Sequence, residues 1–205
     1  MKIISWNLLR LVGASLHEVV GVINREQPDL LLMQEVTYLI DGLAERVGGH
    51  YWHALLPGRI HGLAIWSRVR PPSAPEVVPL QAGAMFRRVG MVLDVGPFSV
   101  ANVHLSHGQV LNRRQLRRVV RDVTGCAAVL GDYNLVGPTM LPGFRDVGPR
   151  SHTHIAGDLV PLRIDRCMVR GLECRAPRVL PRLSSDHRPI VVNLSVAGTK
   201  AALAA

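Results

Sequence analysis

The apolar residues of this chain fall mostly into short runs, and several of those runs end in a polar side chain. Residues 2–6 read as a strand with Asn7 at its end, residues 30–33 as a second strand followed by Gln34 and Glu35, and residues 127–130 as a third that runs into Gly131, Asp132, Tyr133 and Asn134. Runs of this length fit buried strands. Residues 51–55 and 63–67 read as antiparallel neighbours around Pro57-Gly58, and residues 89–95 and 98–105 as a hairpin about Gly96-Pro97. Two more strands are predicted at 163–169 and 189–196. Helical spacing is rarer. Ser15 and Glu18 have capping-box spacing and open a helix to about Glu26, with Leu16, Val19, Val20 and Ile23 on its apolar face. A second helix is expected over 39–47, stopped by Gly48-Gly49. A third is expected over 109–124, with Leu116, Val119, Val120 and Val123 as its buried stripe. Pro71, Pro72, Pro75 and Pro79 mark a loop, read as an external crossover because neither half of the chain has enough strands to close a sheet. Residues 135–158 read as loop, with His152 and His154 inside it, and 183–187 as a polar loop. Residues 1–196 are expected to form a single domain and 197–205 a flexible tail; no internal repeat is present.

Composition adds charge to this picture. The 205 residues carry a formal net charge of +9, nearly all of it from Arg, since Lys occurs only at Lys2 and Lys200. Guanidinium groups bind phosphate through paired hydrogen bonds. Arg113, Arg117 and Arg121 lie four apart on one face of the third predicted helix, which suits either a solvated face or a phosphate-binding one. Cys126, Cys167 and Cys174 are an odd set without metal-type spacing and read as buried thiols in a reducing compartment. Asn7 interrupts any signal-peptide core, and no apolar run reaches membrane-spanning length. The expectation is a soluble, cytoplasmic monomer.

The candidate chemistry sits at the strand ends: Asn7, Glu35, His104, Asp132, Asn134, Asp165, Asp186 and His187. Asp132 and Asn134 on their own also fit an Asx turn that closes a strand, with Gly131 letting the backbone turn. Asn102 and His104 alternate with Val103 and Leu105 and so share one face. Asp165 lies inside an apolar strand and needs a partner. Carboxylate and carboxamide oxygens suit a hard divalent ion, Mg²⁺ or Mn²⁺, and no zinc-type Cys/His cluster is present. In-line attack at phosphorus needs such an ion, an oriented water and neutralised phosphate oxygens.

The segments Trp6-Asn7, Gln34-Glu35, Gly62 to Arg68, Asn102 to Leu105, Gly131 to Asn134, Ile164-Asp165 and Ser185 to Pro189, in this order, resemble the endonuclease/exonuclease/phosphatase superfamily, the fold of deoxyribonuclease I. The resemblance runs from Met1 to about Leu194. It implies an α/β fold, a four-layer α/β/β/α sandwich of two mixed sheets with outer helices. It implies Glu35 as principal metal ligand with Asn7 and Asp186 close by, and Asp132 as the group that orients and deprotonates water. Asn134 would hold the phosphate or nucleophile, and His187 would contact the phosphate with Asp165 fixing its ring. His104 would bond a phosphate oxygen or protonate the leaving group. Asn102, Arg88, Arg113 and Arg117 are expected at substrate phosphates. The stretch His104-Leu105-Ser106-His107-Gly108 differs from that of abasic-site endonucleases and points to the His-Leu branch. Arg87-Arg88 stands where deoxyribonuclease I-like enzymes place a carboxylate, and an Arg there suits an extra phosphate group. The implied activity is a divalent-metal-dependent phosphodiester hydrolase, a nuclease on DNA or RNA. The alternatives are a phosphomonoesterase or phospholipid headgroup hydrolase, with a phosphorylated small molecule or lipid as substrate, and a non-catalytic phosphate-binding module.

Overall fold

The structure, a computed structural model, describes residues 1–83 and 87–198. The chain opens with β1 (Lys2–Asn7), α1 (Leu16–Glu26) and β2 (Leu30–Thr37), followed by a 3₁₀ turn (Tyr38–Ile40), α2 (Leu43–Val47), β3 (His50–Leu55) and β4 (His61–Ser67). Next come β5 (Glu76–Pro79), β6 (Val89–Asp94), β7 (Ser99–His104), α3 (Gln109–Val119) and β8 (Ala127–Asp132). The last part holds β9 (Arg145–Asp146), β10 (His154–Ala156), β11 (Val160–Leu162), β12 (Asp165–Arg170), β13 (Leu172–Val179) and β14 (Ile190–Val196). Two six-stranded mixed sheets result, in the orders β13-β14-β1-β2-β4-β3 and β5-β6-β7-β8-β12-β9, while β10 and β11 pair as a separate ribbon. In each sheet one pair is parallel, β1 with β2 and β7 with β8, and a helix makes each crossover.

Strand periodicity sorts the apolar side chains into three cores. Ile3, Leu30, Leu32, Ile65, Leu93, Val100 and Leu130 meet between the sheets. Their neighbours Ile4, Trp6, Leu31, Met33 and Trp66 point outward and pack on Val19, Val22 and Ile23 of α1 and Leu43 of α2. On the other side Ala101, Val103 and Val129 cover Leu116 and Val119 of α3. Four layers follow, helix, sheet, sheet, helix, as the sequence predicts. The capping box of α1 is formed in both directions between Ser15 and Glu18.

Several expectations are corrected. The helix predicted over 39–47 is broken at Asp41 and Gly42 into the 3₁₀ turn and α2. The third helix stops at Val119 rather than running to Thr124. The proline-rich stretch contains β5, an edge strand that tolerates Pro79 at its end. Residues 135–158 contain β9 and β10. The strand β13 was not predicted: it is an edge strand bulged between Arg175 and Arg178 around Pro177, and most of its side chains face solvent. All three cysteines are free thiols, but Cys167 alone is fully buried. No helix among the described residues is long and apolar enough to cross a membrane. The predicted tail lies mostly outside the described residues.

Candidate active site

The carboxyl ends of both parallel pairs open on the same edge of the sandwich, and the polar strand-end residues meet there. Each is aimed by a local device. The bulge between Gln34 and Val36 gives Glu35 a φ of +54°, so Gln34 and Val36 are buried while Glu35 turns out toward the strand-end cluster. A left-handed φ on Glu is strained and marks a constrained position. Gly131 is needed for close approach rather than for a turn: it lies within β8, and a Cβ there would come 1.8 Å from the Val103 carbonyl oxygen. The Asx turn is real. The Asn134 backbone N–H donates to Asp132 Oδ1 at 2.8 Å, with Asn134 at φ +47°. That turn fixes the Asp132 carboxylate, whose Oδ2 accepts from Asn7 Nδ2 at 3.0 Å and Asn134 Nδ2 at 3.3 Å. His104 Nε2 lies 3.4 Å from the same oxygen and 4.0 Å from Glu35 Oε1.

Asp165 has its partner. Its Oδ2 is 2.9 Å from His187 Nδ1, and both groups are buried. In register across β8 and β12, Asp165 stands opposite Asp132, so two carboxylates flank the ring. Burial disfavours the imidazolium, but Asp165, with Asp132 and Asp186, outweighs it and raises the His187 pKa to about 10. Asp132 is raised to about 6, chiefly by burial, with His187 pulling the other way. Burial, and then the charges of Arg88 and His187, hold His104 well below the usual histidine range. At neutral pH the cluster therefore contains a protonated His187, a neutral His104 and an ionised Asp132.

Further residues, to which the sequence assigns no role in the site, join the cluster. Ser185 is fully buried; it donates to the Asn7 carbonyl at 2.7 Å and accepts from the His187 N–H at 3.1 Å. Trp6 Nε1 donates to the His187 carbonyl at 3.1 Å, and Thr153 Oγ1 accepts from the Asp165 N–H at 3.0 Å. His154, a loop histidine expected near the mouth of the site, lies against His187 with ring centroids 4.4 Å apart and planes tilted by 40°, and its Nδ1 is 3.7 Å from Asp186 Oδ2. Its pKa is lowered by burial and by the charged His187. Trp6 and Ser185 sit in the Trp-Asn and Ser-Asp-His segments, whereas Thr153 carries no sequence signal of its own. On the Glu35 side, Arg10 shares a recess with Glu35, and Arg10, Arg88 and Arg59 act with burial to push His61 down to about 4.

Other expected phosphate ligands are elsewhere. Asn102 is fully buried and stitches the sheets together, donating to the Met33 and Ala64 carbonyls at 2.9 and 3.0 Å and accepting from Gln34 at 2.7 Å. Both its amide hydrogens and its carbonyl are engaged within the protein. Arg88 is buried behind His104, whose carbonyl it contacts at 3.2 Å, and its charge faces Asp132 and Glu35. Arg113 bonds Gln109 along α3, and Arg117 lies on the outer surface of that helix; no hydrogen bond or ion pair among the described residues ties either to the cluster.

The donor set fits a hard divalent ion. The Glu35 carboxylate makes no hydrogen bond among the described residues, Asn7 Oδ1 has a lone pair beyond the one that accepts from Leu9, and Asp186 Oδ1 is buried without a partner. His154, Asp186 and His187 could each place a ligand atom within 4.8 Å of the others. A protonated His187 has no lone pair to give, so Asp186 is the member of that trio best suited to an ion.

The sequence profile of the Endonuclease/Exonuclease/phosphatase family matches residues 4–187, from β1 through His187. No curated protein matches the chain. Among solved structures, the fold is similar to an endonuclease/exonuclease/phosphatase from Bacteroides vulgatus, with TM-score 0.79, 16% sequence identity, and 95% of this chain and 98% of that one covered. It is similar to truncated Caenorhabditis elegans TDP2, with TM-score 0.70, 18% identity, and 93% and 95% covered. It is also similar to the Bacteroides thetaiotaomicron VPI-5482 mannosyl-6-phosphatase Bt3783, with TM-score 0.70, 16% identity, and 95% and 99% covered. At these identities the structural likenesses establish the fold, and the profile match, which spans the whole strand-end cluster, establishes the kinship: the chain belongs to the endonuclease/exonuclease/phosphatase family of phosphoester hydrolases.

Proposed function

We propose that this protein is a divalent-metal-dependent phosphodiester hydrolase that cleaves nucleic acid by in-line attack of water. The observation that carries the reading is the convergence of Asn7, His104, Asn134 and His187 on the single buried carboxylate of Asp132. Asp132 accepts a proton from the attacking water. Its carboxyl titrates near 6, close to the range in which a general base works best at neutral pH. Asn134 holds one Asp132 oxygen through its backbone and the other through its side chain, so the base cannot swing away. His187 presents its Nε2 proton to a phosphate oxygen. That nitrogen's nearest anionic neighbours are Asp132 at 3.8 Å and Asp186 at 3.9 Å, too far to hold the proton in a hydrogen bond. Neutral His104 lies beside Asp132 and Glu35, where it supports a second phosphate oxygen or the leaving oxygen. Glu35, Asn7 and Asp186 would hold the metal ion, which would supply Lewis-acid stabilisation of charge on the phosphoryl oxygens. Arg10 and Arg88 add positive charge on the Glu35 side.

The nucleic-acid reading rests on the net charge of +9 and on exposed guanidinium groups along α3. Likeness to the mannosyl-6-phosphatase is as strong by TM-score as likeness to TDP2. The test is therefore a substrate panel of plasmid, single-stranded DNA, RNA, a small aryl phosphodiester, phosphorylated sugars and phospholipid, with Mg²⁺, with Mn²⁺ and with a chelator. Metal-dependent cleavage of the nucleic acids and the aryl diester is expected. Turnover confined to sugar phosphates would replace the diesterase reading by the monoesterase one. Glu35→Gln should weaken metal binding in calorimetry with little change in melting temperature; unchanged affinity in a folded variant would remove Glu35 from the metal site.

A further inference from the structure

The arginines of α3 group differently from their four-residue spacing. Arg114, Arg117, Arg118 and Arg121 line one cleft of about 480 Å³, closed on its other side by Pro79, Leu80 and Gln81 at the end of the edge strand β5. Arg113 is not in it. No carboxylate among the described residues lines the cleft. Arg118 has an ion pair, with Asp122 at 3.2 Å, whereas Arg114, Arg117 and Arg121 have none among the described residues and are exposed. At spacings of three and four residues these like charges repel along the helix. Attraction to the helix C-terminus offsets this for the last turn only and leaves Arg114 unexplained. The cleft also adjoins the chemistry. Leu80 N–H donates to the Arg88 carbonyl at 2.9 Å, and the Arg88 guanidinium contacts the His104 carbonyl at 3.2 Å.

We propose that this cleft is an anchoring site for the phosphodiester backbone of a nucleic-acid strand whose scissile bond lies at Asp132. The proposal takes its purpose from the diesterase reading, but the binding it describes is separate from turnover. From Arg114 to Arg118 the guanidinium row extends about 6 Å along the helix at 1.5 Å per residue, and Arg121 prolongs it past the helix end, long enough for more than one phosphate. The contacts proposed are to backbone phosphates, which position a strand without reading its sequence.

The experiment measures anisotropy of a labelled oligonucleotide, single-stranded and duplex, on the full chain with chelator present, between about 50 and 200 mM salt. Arg114→Gln/Arg117→Gln/Arg121→Gln should weaken binding and flatten the slope of log affinity against log salt by about 2 for a single strand or about 2.7 for a duplex. Arg113→Gln should leave the slope unchanged. Turnover of the small aryl diester should be the same in wild type and triple variant. Should the triple variant not fold, Arg117→Gln and Arg121→Gln alone should each lower the slope by about 0.7 to 0.9. An unchanged slope overturns the anchoring site while leaving the hydrolase reading intact. Absence of phosphodiester cleavage with the slope change present does the reverse. Displacement by polyglutamate as effective, per charge, as displacement by unlabelled oligonucleotide also overturns the proposal.

Discussion

His187 is protonated at neutral pH because Asp165, with Asp132 and Asp186, outweighs the cost of burying its charge. A histidine whose pKa is raised in the folded state contributes stability below the unfolded value of about 6.5, and loses it as pH rises through about 10. Asp165→Asn keeps the shape and a hydrogen bond but removes the nearer charge. The His187 pKa should fall, and turnover should drop by about two orders of magnitude. NMR titration of the ring in both proteins checks this, and an identical pKa would take Asp165 out of its assigned role. Asp132 has the same sign, at lower pH. Burial raises its carboxyl pKa, so its contribution to stability is full below the ordinary value and is lost as pH rises through about 6. At neutral pH the ionised form is a net cost to the fold. Asp132→Asn should therefore melt no lower than the wild type at neutral pH while hydrolysis falls by about 10²- to 10⁴-fold. Melting well below the wild type would make the carboxylate a structural requirement rather than a base.

At the scale of elements, the loop after β8 is tied down by one carboxylate. Asp146 on β9 accepts two hydrogen bonds of 2.8 Å from Arg163 and one of 3.1 Å from Arg166, and Arg166 also donates to the Leu135 and Gly137 carbonyls beside Asn134. Burial raises the Asp146 pKa, but the two arginines outweigh it and leave it lowered. Its stabilisation is thus present above the ordinary carboxylate pKa of about 4 and lost as pH falls below it. Asp146→Asn should cost about 2 kcal/mol at neutral pH, and the gap between variant and wild type in urea denaturation should close toward pH about 3. A gap independent of pH would mean that packing, not charge, holds the loop. Elements with an apolar periodicity, such as α1 and β2, were legible in the sequence because their burial is written in side-chain type. The strand β13 was not, because an edge strand facing solvent has no such imprint, and Pro177 in its bulge reads as a breaker. The same logic divides the site. Asn7, Glu35, Asp132 and Asp165 stand out as polar groups at or inside apolar runs. Thr153 is understood only through what it touches, the Asp165 backbone N–H contributed by β12. Asn102 misled because alternation shows that it shares a face with His104, not that the face points between the sheets. Arg113 misled because a four-residue spacing ignores the edge strand that selects which arginines share a wall.

On the scale of the whole molecule, the sheet that carries Asn7 and Glu35 is assembled from both ends of the chain: β14 pairs with β1, and β13 closes its edge. Trp6 and Trp66 report on the outer core of that sheet and Trp52 packs against the inter-sheet core, whereas circular dichroism reports on both sheets. Because the inter-sheet core is shared, urea unfolding followed by Trp fluorescence and by circular dichroism should give coincident single transitions. Separated midpoints would show that the sheets melt independently. The Asp132–Asp165 register has one more consequence, which concerns time rather than space. The two carboxylates face each other across β8 and β12, and the cation between them comes from a residue made 22 positions after Asp165. A chain still on the ribosome with residue 165 complete but residue 187 not yet added lacks the imidazolium that lies between them. The cluster is complete only once the final loop has docked Ser185 on the Asn7 carbonyl.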